Sequence, residues 1–288
     1  MLFLEKSKLE FLYKKLCCPL CQADFSLLEN GNSFCCNGEK PHCFDIASSG
    51  YVNFALHNSG GGDSKEAVLA RSNFLGTGLY SGFAEGVCKA VSGLCCEGES
   101  AFIVDAGCGQ GYYTNKIAEN AKNTLCCGVD LSKQAIISAS KSAMRNKIDN
   151  VLYLVGGIFE LPFCDDCADV IVNLFAPCAE NEFLRVLKKG GYLVVGSAGK
   201  EHLFELKKAI YDTAYENEVR ADMPQQMEKI SETRVKYEIS LESKADIQNL
   251  FAMTPYYYRT SAESQQKLIN LEFLTTTVDF DITVYKKV

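Results

Sequence analysis

The stretch Val104-Asp105-Ala106-Gly107-Cys108-Gly109-Gln110-Gly111 leaves a short apolar run, AFIV at 101–104, and enters GYYTNKIAENA at 111–121, whose spacing is helical. Glycine at every second position lets a backbone turn tightly and come close to a ligand. Alone, such a run says little. Its context says more, because TLCCGVD at 124–130 is a second apolar run ending in an acid, Asp130, 25 residues beyond Asp105. In doubly wound folds an acid at that second strand end accepts hydrogen bonds from ribose hydroxyls. The dinucleotide fingerprint G-x-G-x-x-G is not matched. The acid two positions before Gly107 suits a ligand with a cationic amino acid end and no phosphate, and S-adenosylmethionine is such a ligand. The plainer alternative, a tight strand-to-helix turn and nothing more, leaves Asp130 without a purpose.

Outward from this loop the pattern alternates. SKQAIISASKSAMRNK has helical spacing, with Ser132 as its N-cap. VLYLVGG, CADVIVNLF and GYLVVGSAG read as further buried strands, and FLTTTVDFDITVYKK as a final one. Strands alternating with helices predict an α/β fold with a doubly wound, mostly parallel sheet. Residues 205–262 are charged and mostly helical in pattern, although RVKYEISL inside them alternates like a strand. Upstream, Lys65 to Val91 fit helices broken by GTG at 76–78, and HNSGGGDS at 57–64 reads as a flexible junction. Substrates of such sheets sit at strand carboxyl ends. That makes Phe175, Ala176 and Pro177 substrate-pocket candidates, against the bland reading of a turn made by Pro177.

The chain has 288 residues, 47% of them hydrophobic, enough to fill a core. No apolar run is long enough to cross a membrane, and the charge-broken N-terminus lacks the apolar core of a signal peptide, so a cytoplasmic location is expected. The balance of 36 acidic against 29 basic residues excludes a generic electrostatic nucleic-acid binder but not an enzyme that grips RNA locally, for instance through Lys40 or Arg71. Fifteen cysteines in a long chain of this kind predict free thiols and metal ligands rather than disulfides. They concentrate in residues 17–54, a block too small to bury much core. Cys18-x-x-Cys21, then Cys35 or Cys36, then His42 have the ligand types of a closed structural zinc site, with Cys43 a rival ligand.

At this point the chain resembles the RlmA (RrmA) family of 23S rRNA guanine-N1 methyltransferases. The carriers are CPLC at 18–21, HCFDIASSGYVN at 42–53, GDS at 62–64, AR at 70–71, FLGTGLY at 74–80, VDAGCGQGYYT at 104–114, FAPC at 175–178, HLFELK at 202–207 and MTPYYYR at 253–259. The resemblance implies a class I methyltransferase domain, with a Rossmann-like, mostly parallel seven-stranded sheet, joined to a small N-terminal zinc-binding module. The implied division is a zinc-binding, RNA-recognition module over 1–57, a linker and N-terminal helices over 58–80, and the methyltransferase domain over 81–288 with a helical insertion near 205–262. The implied zinc ligands are Cys18, Cys21, Cys36 and His42. The implied cofactor contacts are Gly109, Gln110, Tyr80 and His202, beside Asp105, Gly107, Gly111 and Asp130 from the loop itself.

The function expected is S-adenosylmethionine-dependent methylation of guanine N1 in a hairpin loop of 23S rRNA, with zinc structural, no membrane partner and a homodimer left open. No general base is assigned. Tyr256, Tyr257 and Tyr258 are candidates to stack on splayed bases, or else core of a lid helix. The rival readings are a small-molecule methyltransferase, for which the zinc module would be surplus, and a zinc-stabilised RNA-binding regulator without catalysis, which the intact Asp105, glycines and Asp130 disfavour. The module is expected to be separable, leaving the cofactor domain folded without it.

Overall fold

The structure, a computed structural model, describes residues 6–27, 32–55, 63–95, 100–218 and 226–288. The glycines at 60–62, read as a junction, lie outside the described residues. The chain opens with helix α1 (Lys6–Tyr13), then β1 (Phe25–Leu27), β2 (Ser33–Cys36) and β3 (Cys43–Asp45), which form a small antiparallel sheet, and then β4 (Tyr51–Asn53). Helices α2 (Lys65–Gly76) and α3 (Ser81–Ser92) follow. The alternating part comprises β5 (Phe102–Ala106), α4 (Tyr112–Asn120), β6 (Leu125–Asp130), α5 (Lys133–Arg145), β7 (Val151–Val155), β8 (Ala168–Leu174), α6 (Glu180–Val186) and β9 (Leu187–Ala198). Then come α7 (Phe204–Ile210), β10 (Met227–Leu241), α8 (Lys244–Ala252), α9 (Ala262–Ile269) and β11 (Leu274–Lys287).

The large sheet runs β10-β11-β9-β8-β5-β6-β7-β4. Pairs from β4 to β9 are parallel, and β11 is antiparallel to both β9 and β10. Seven of these strands are the sheet expected for the methyltransferase domain. The eighth, β4, comes from the cysteine-rich module, with Val52 opposite Leu154 and the Phe54 N–H donating to the Val155 carbonyl at 2.9 Å.

Alternation along each strand divides the core. Ile103, Cys126, Val170 and Val194 face α3, α4 and α5, packing on Phe83, Val87, Ile117, Ile136 and Ala139. Phe102, Val104, Leu125, Leu152 and Leu154 face the other way. A parallel crossover normally carries a helix, but residues 156–167, between β7 and β8, carry none. The N-terminal module covers that face instead. Leu9, Leu12, Leu16, Phe25, Phe34 and Phe54 are buried in one cluster with Phe102, Leu154 and Phe163. Phe11 lies edge-on to Phe102 at 6.5 Å, and Leu16 forms a β-bridge with Phe163. The module therefore shares its core with the domain, and the expectation of a separable appendage is corrected.

The expectation of a helical insertion near 205–262 is also corrected. β10 spans 15 residues there and is the edge strand of the sheet. Its first half, EKISETR, is exposed on both faces. Without a buried face there is no apolar alternation to read, so only RVKYEISL betrayed the strand. Its charges also guard an open edge against pairing with another chain. Arg234 is one of them, donating to both carboxylate oxygens of the fully buried Asp279 at 2.6 and 2.8 Å.

Because module and domain share one core, they should unfold together. Leu16→Ala is expected to cost about 2–5 kcal/mol and to lower a single cooperative melting transition of the whole chain. Two separate transitions in calorimetry, with only the first moved, would contradict the shared core.

Candidate active site and metal centre

The turn after α1 presents two thiols. The Cys18 N–H donates to the Ala23 carbonyl at 2.9 Å, the Gln22 N–H donates to the Cys18 carbonyl at 2.8 Å, and Gln22 takes φ 58°. The β2–β3 hairpin presents the other two ligands. The ligand atoms of Cys18, Cys21, Cys36 and His42 all lie within 4.8 Å of one another. Cys21 and Cys36 sulfurs are 3.6 Å apart, and His42 Nδ1 is 3.6 Å from Cys18 Sγ and 3.5 Å from Cys36 Sγ. Tetrahedral zinc with ordinary bond lengths requires S···S edges of about 3.8 Å and S···N edges of about 3.5 Å, so the residues fit the metal. The His42 N–H also donates to Cys36 Sγ at 3.1 Å, which favours the thiolate a metal needs.

Cys36, not Cys35, turns to the cluster because neighbours on a strand point to opposite faces. Cys35 instead lies opposite Cys43 in the β2–β3 pairing and forms a disulfide with it. For these two residues the expectation of free thiols or rival ligands is corrected. Spacing along the chain does not reveal a cross-strand pair.

The second site lies at the carboxyl ends of β5 and β6. Gly107, Gly109 and Gly111 all have positive φ, at 88°, 54° and 75°. A Cβ on Gly107 would stand 2.6 Å from the Ala176 Cβ, so glycine there lets the strand end after β8 approach the loop. A Cβ on Gly111 would stand 2.5 Å from the Tyr153 hydroxyl and 2.7 Å from Ala139 Cβ. Gly111 is thus demanded by interior packing, and its α-carbon faces away from any ligand on the loop.

Asp130 closes the loop. One carboxylate oxygen accepts the Gly109 N–H at 2.9 Å and the other the Ser132 N–H at 2.8 Å. Each oxygen keeps a second lone pair for a ribose hydroxyl. Burial raises the Asp130 pKa, and these two N–H groups oppose the shift. Asp105 is only 3% exposed, and Thr114 donates to it at 2.6 Å. Burial lifts its pKa to about 7 against that hydrogen bond, with the Asp130 charge adding to the rise. Two desolvated acids under a glycine cradle are a site for a cation.

Beyond the loop, Asn173 ties the substrate-side turn to it. Its amide nitrogen donates to the Ala106 carbonyl at 3.0 Å and the Pro177 carbonyl at 3.2 Å, while its Oδ1 is buried without a partner among the described residues. A donor such as an ammonium suits that oxygen, so cradle, acids and orphaned acceptor fit the amino acid end of S-adenosylmethionine. Gln110, in the loop, is buried.

Tyr80 and His202, 122 residues apart, meet at 3.4 Å between hydroxyl and Nε2. The Asp279 N–H donates to His202 Nδ1 at 3.3 Å, so the neutral ring carries its proton on Nε2. Burial lowers the His202 pKa to about 3, against the pull of the Asp279 charge. His202 is a fixed neutral hydrogen-bonding group, and Tyr80, at 2% exposure, is wedged among Phe74, Phe280 and that ring.

The same aromatic shelf carries Phe175. It takes φ 56°, is 48% exposed, and lies 5.2 Å from Phe83 and 5.1 Å from Phe280 by ring centroids. A strained, half-exposed aromatic at a strand carboxyl end is a feature to relate to function. Tyr256 is buried core, whereas Tyr258 is 71% exposed. Arg71 is not on an open face. It bonds Asp63 and lies against the glycine loop, a placement its motif neighbours GDS and AR did not reveal.

Comparison with known proteins matches both parts of the chain. The methyltransferase-domain family matches residues 98–254. The N-terminal zinc-ribbon family of RlmA matches residues 16–55. The chain is 28% identical over 279 residues to a Bacillus subtilis protein named "Putative 23S rRNA (guanine-N(1)-)-methyltransferase YxjB", covering 94% of this chain and 96% of that one. It is 27% identical to a Micromonospora griseorubida protein of the same description without the suffix, over 86% and 88% of the two chains. It is 29% identical to the 23S rRNA (guanine(748)-N(1))-methyltransferase of Streptomyces fradiae, over 67% of this chain and 66% of that one.

Metal analysis of the purified protein should give about one zinc per chain, since four protein ligands make one closed site. Cys36→Ser should lose the metal and lower the melting temperature of the whole chain, because Cys18 and Cys36 sit in the shared core. Metal-free wild-type protein with unchanged melting would refute the centre.

Proposed function

We propose, for a chain that belongs to the methyltransferase-domain family and within it to the RlmA family, that it methylates N1 of a guanine in a hairpin loop of 23S rRNA. The observation that carries this reading is the continuity of the resemblance. The relative named for that reaction in Bacillus subtilis aligns across zinc ribbon and methyltransferase domain together, over 94% of this chain. The ribbon's strand β4 runs parallel to β7, so it leaves the sheet at the carboxyl edge where the glycine loop lies. A module held in register with the site in this way can present a bound RNA loop to it.

S-adenosylmethionine supplies an electrophilic methyl group on a sulfonium sulfur. The loop at Gly107 and Gly109 would hold it, with Asp105 facing its cationic end and Asp130 offering lone pairs to its ribose. Zinc takes no part in the chemistry, since its four protein ligands leave no open position. The chain's own contribution is positioning. The target base must leave its loop to reach the methyl, and Phe175 offers the exposed aromatic face on which it stacks. His202 does not take the N1 proton, because its pKa of about 3 makes it a poor base and both ring nitrogens are engaged.

The direct test incubates the zinc-loaded protein with S-adenosylmethionine and 23S rRNA lacking the modification. N1 methylation blocks the Watson–Crick edge, so primer extension should gain one stop at a guanine in a hairpin loop. Methyl transfer to a small molecule, with no new stop on rRNA, would favour the rival enzyme. Phe175→Ala should lower kcat/KM for rRNA by about 5- to 150-fold, the worth of one base–aromatic stack, while leaving the affinity for S-adenosylhomocysteine unchanged.

Cofactor affinity should also depend on pH. A cationic amino acid end favours ionised Asp105, whose carboxyl titrates near 7 in the free protein. Affinity for S-adenosylhomocysteine should therefore rise as pH climbs through about 7 and level off above it. Asp105→Asn should flatten that profile in calorimetry. An unchanged profile in the variant would remove Asp105 from the site.

A further inference from the structure

The cofactor reading leaves one group of the ligand without a partner. The methionine end of S-adenosylmethionine is a zwitterion. Its ammonium would suit Asp105 and the Asn173 oxygen, but its carboxylate would come close to acids, since the charges of Asp63, Asp105 and Asp130 act on one another. A carboxylate bound there needs a cation close by.

The structure provides one. Arg71, on α2, is held by an ion pair with the Asp63 carboxylate. The Asp63 carbonyl in turn accepts the hydroxyl of Ser132, the N-cap of α5, at 3.1 Å. The N-terminal turn of α2 is thereby latched to the end of β6, and Arg71 is brought over the glycine loop. A Cβ built on Gly109 would lie 3.6 Å from Arg71 Nη1. That is ordinary contact distance, so the guanidinium lies directly against the glycine loop at Gly109. The Arg71 charge acts on Asp130 and on Tyr113, which places it at the heart of the site. Its side chain is 25% exposed, and its Nε and Nη2 make no hydrogen bond to another described residue. A guanidinium offers a planar carboxylate a fork of two N–H groups.

We propose that Arg71 is the cation that receives the α-carboxylate of the cofactor's methionine end, with Asp63 holding it in position over Gly109. The assignment rests on the cofactor reading above. It separates Arg71 from the RNA surface, where its charge alone would have put it.

Calorimetry on the full-length, zinc-loaded protein tests this with two ligands. S-adenosylhomocysteine carries the amino acid end, and 5′-methylthioadenosine is the same adenosine thioether without it. Arg71→Met should weaken S-adenosylhomocysteine by about tenfold to a hundredfold, the loss of a charge-assisted hydrogen-bonded pair. It should leave 5′-methylthioadenosine within about twofold, because that ligand has no carboxylate for the arginine to hold. Arg71→Lys, which keeps the charge and the Asp63 pair but not the fork, should fall between and serves if the methionine variant melts early. Equal weakening of both ligands would mean that Arg71 only shapes the pocket, and would overturn the assignment. Unchanged S-adenosylhomocysteine binding with a raised KM for rRNA would also overturn it, in favour of an RNA contact. Wild-type protein that binds neither ligand would fail the cofactor reading itself, a result distinct from these two.

Discussion

The sheet must be covered on both faces, and the chain supplies too few helices from its alternating part to do so. The connection from β7 to β8 carries no helix, which would leave Phe102, Leu152, Leu154 and Phe163 facing water. Helix α1 and the cysteine-rich hairpins close that face. Burying each of these large apolar side chains stabilises by roughly 1.5–3 kcal/mol, so the module is an integral part of the domain's core. The zinc cluster then has a second role beyond holding its own hairpins. It fixes the shape of a cap whose inner surface is half of a shared core, and through β4 it sets the edge strand next to β7.

At the other end of the same strands, the governing factor is electrostatic. Asp105 and Asp130 are buried close together, and desolvation raises both. Backbone N–H groups on Asp130 and Thr114 on Asp105 oppose that rise. A cation beside them would favour both ionised forms. The Asp63–Arg71 pair completes the charge pattern and makes the slot suit a zwitterion rather than a simple cation. Nearby, Arg234, Asp279, His202 and Tyr80 form a hydrogen-bonded chain that runs from the exposed Arg234 to the aromatic shelf beside Phe175.

Much of this was legible in the order of residues. A parallel strand buried on both faces announces itself as an apolar run, and five such runs are β5 to β9. The glycine loop is legible because glycine is the residue that most readily adopts its three positive φ values. Cys18-x-x-Cys21 is legible because a zinc knuckle is local. The exposed half of β10 was not legible, since a strand without a buried face has no alternation. The packing reason for Gly111 was not legible either. A glycine required by the Tyr153 hydroxyl and one required by a ligand look the same in a motif.

Sequence by itself determined the alternation of strands and helices, the glycine loop, and Cys18, Cys21 and His42 as metal ligands, because residue type and local spacing mark each of them. Tertiary structure alone decided the rest. The choice of Cys36 over Cys35 followed from which face of β2 meets the knuckle, and the pairing of Cys35 with Cys43 from the register of two strands. The fusion of ribbon to domain followed from a bare sheet face, which no local pattern records. The meeting of Tyr80 with His202, and of Arg71 with Gly109, followed from the packing of elements far apart in the chain. Short-range geometry is written in spacing. Long-range contact is settled only when the faces of those elements find each other and exclude water.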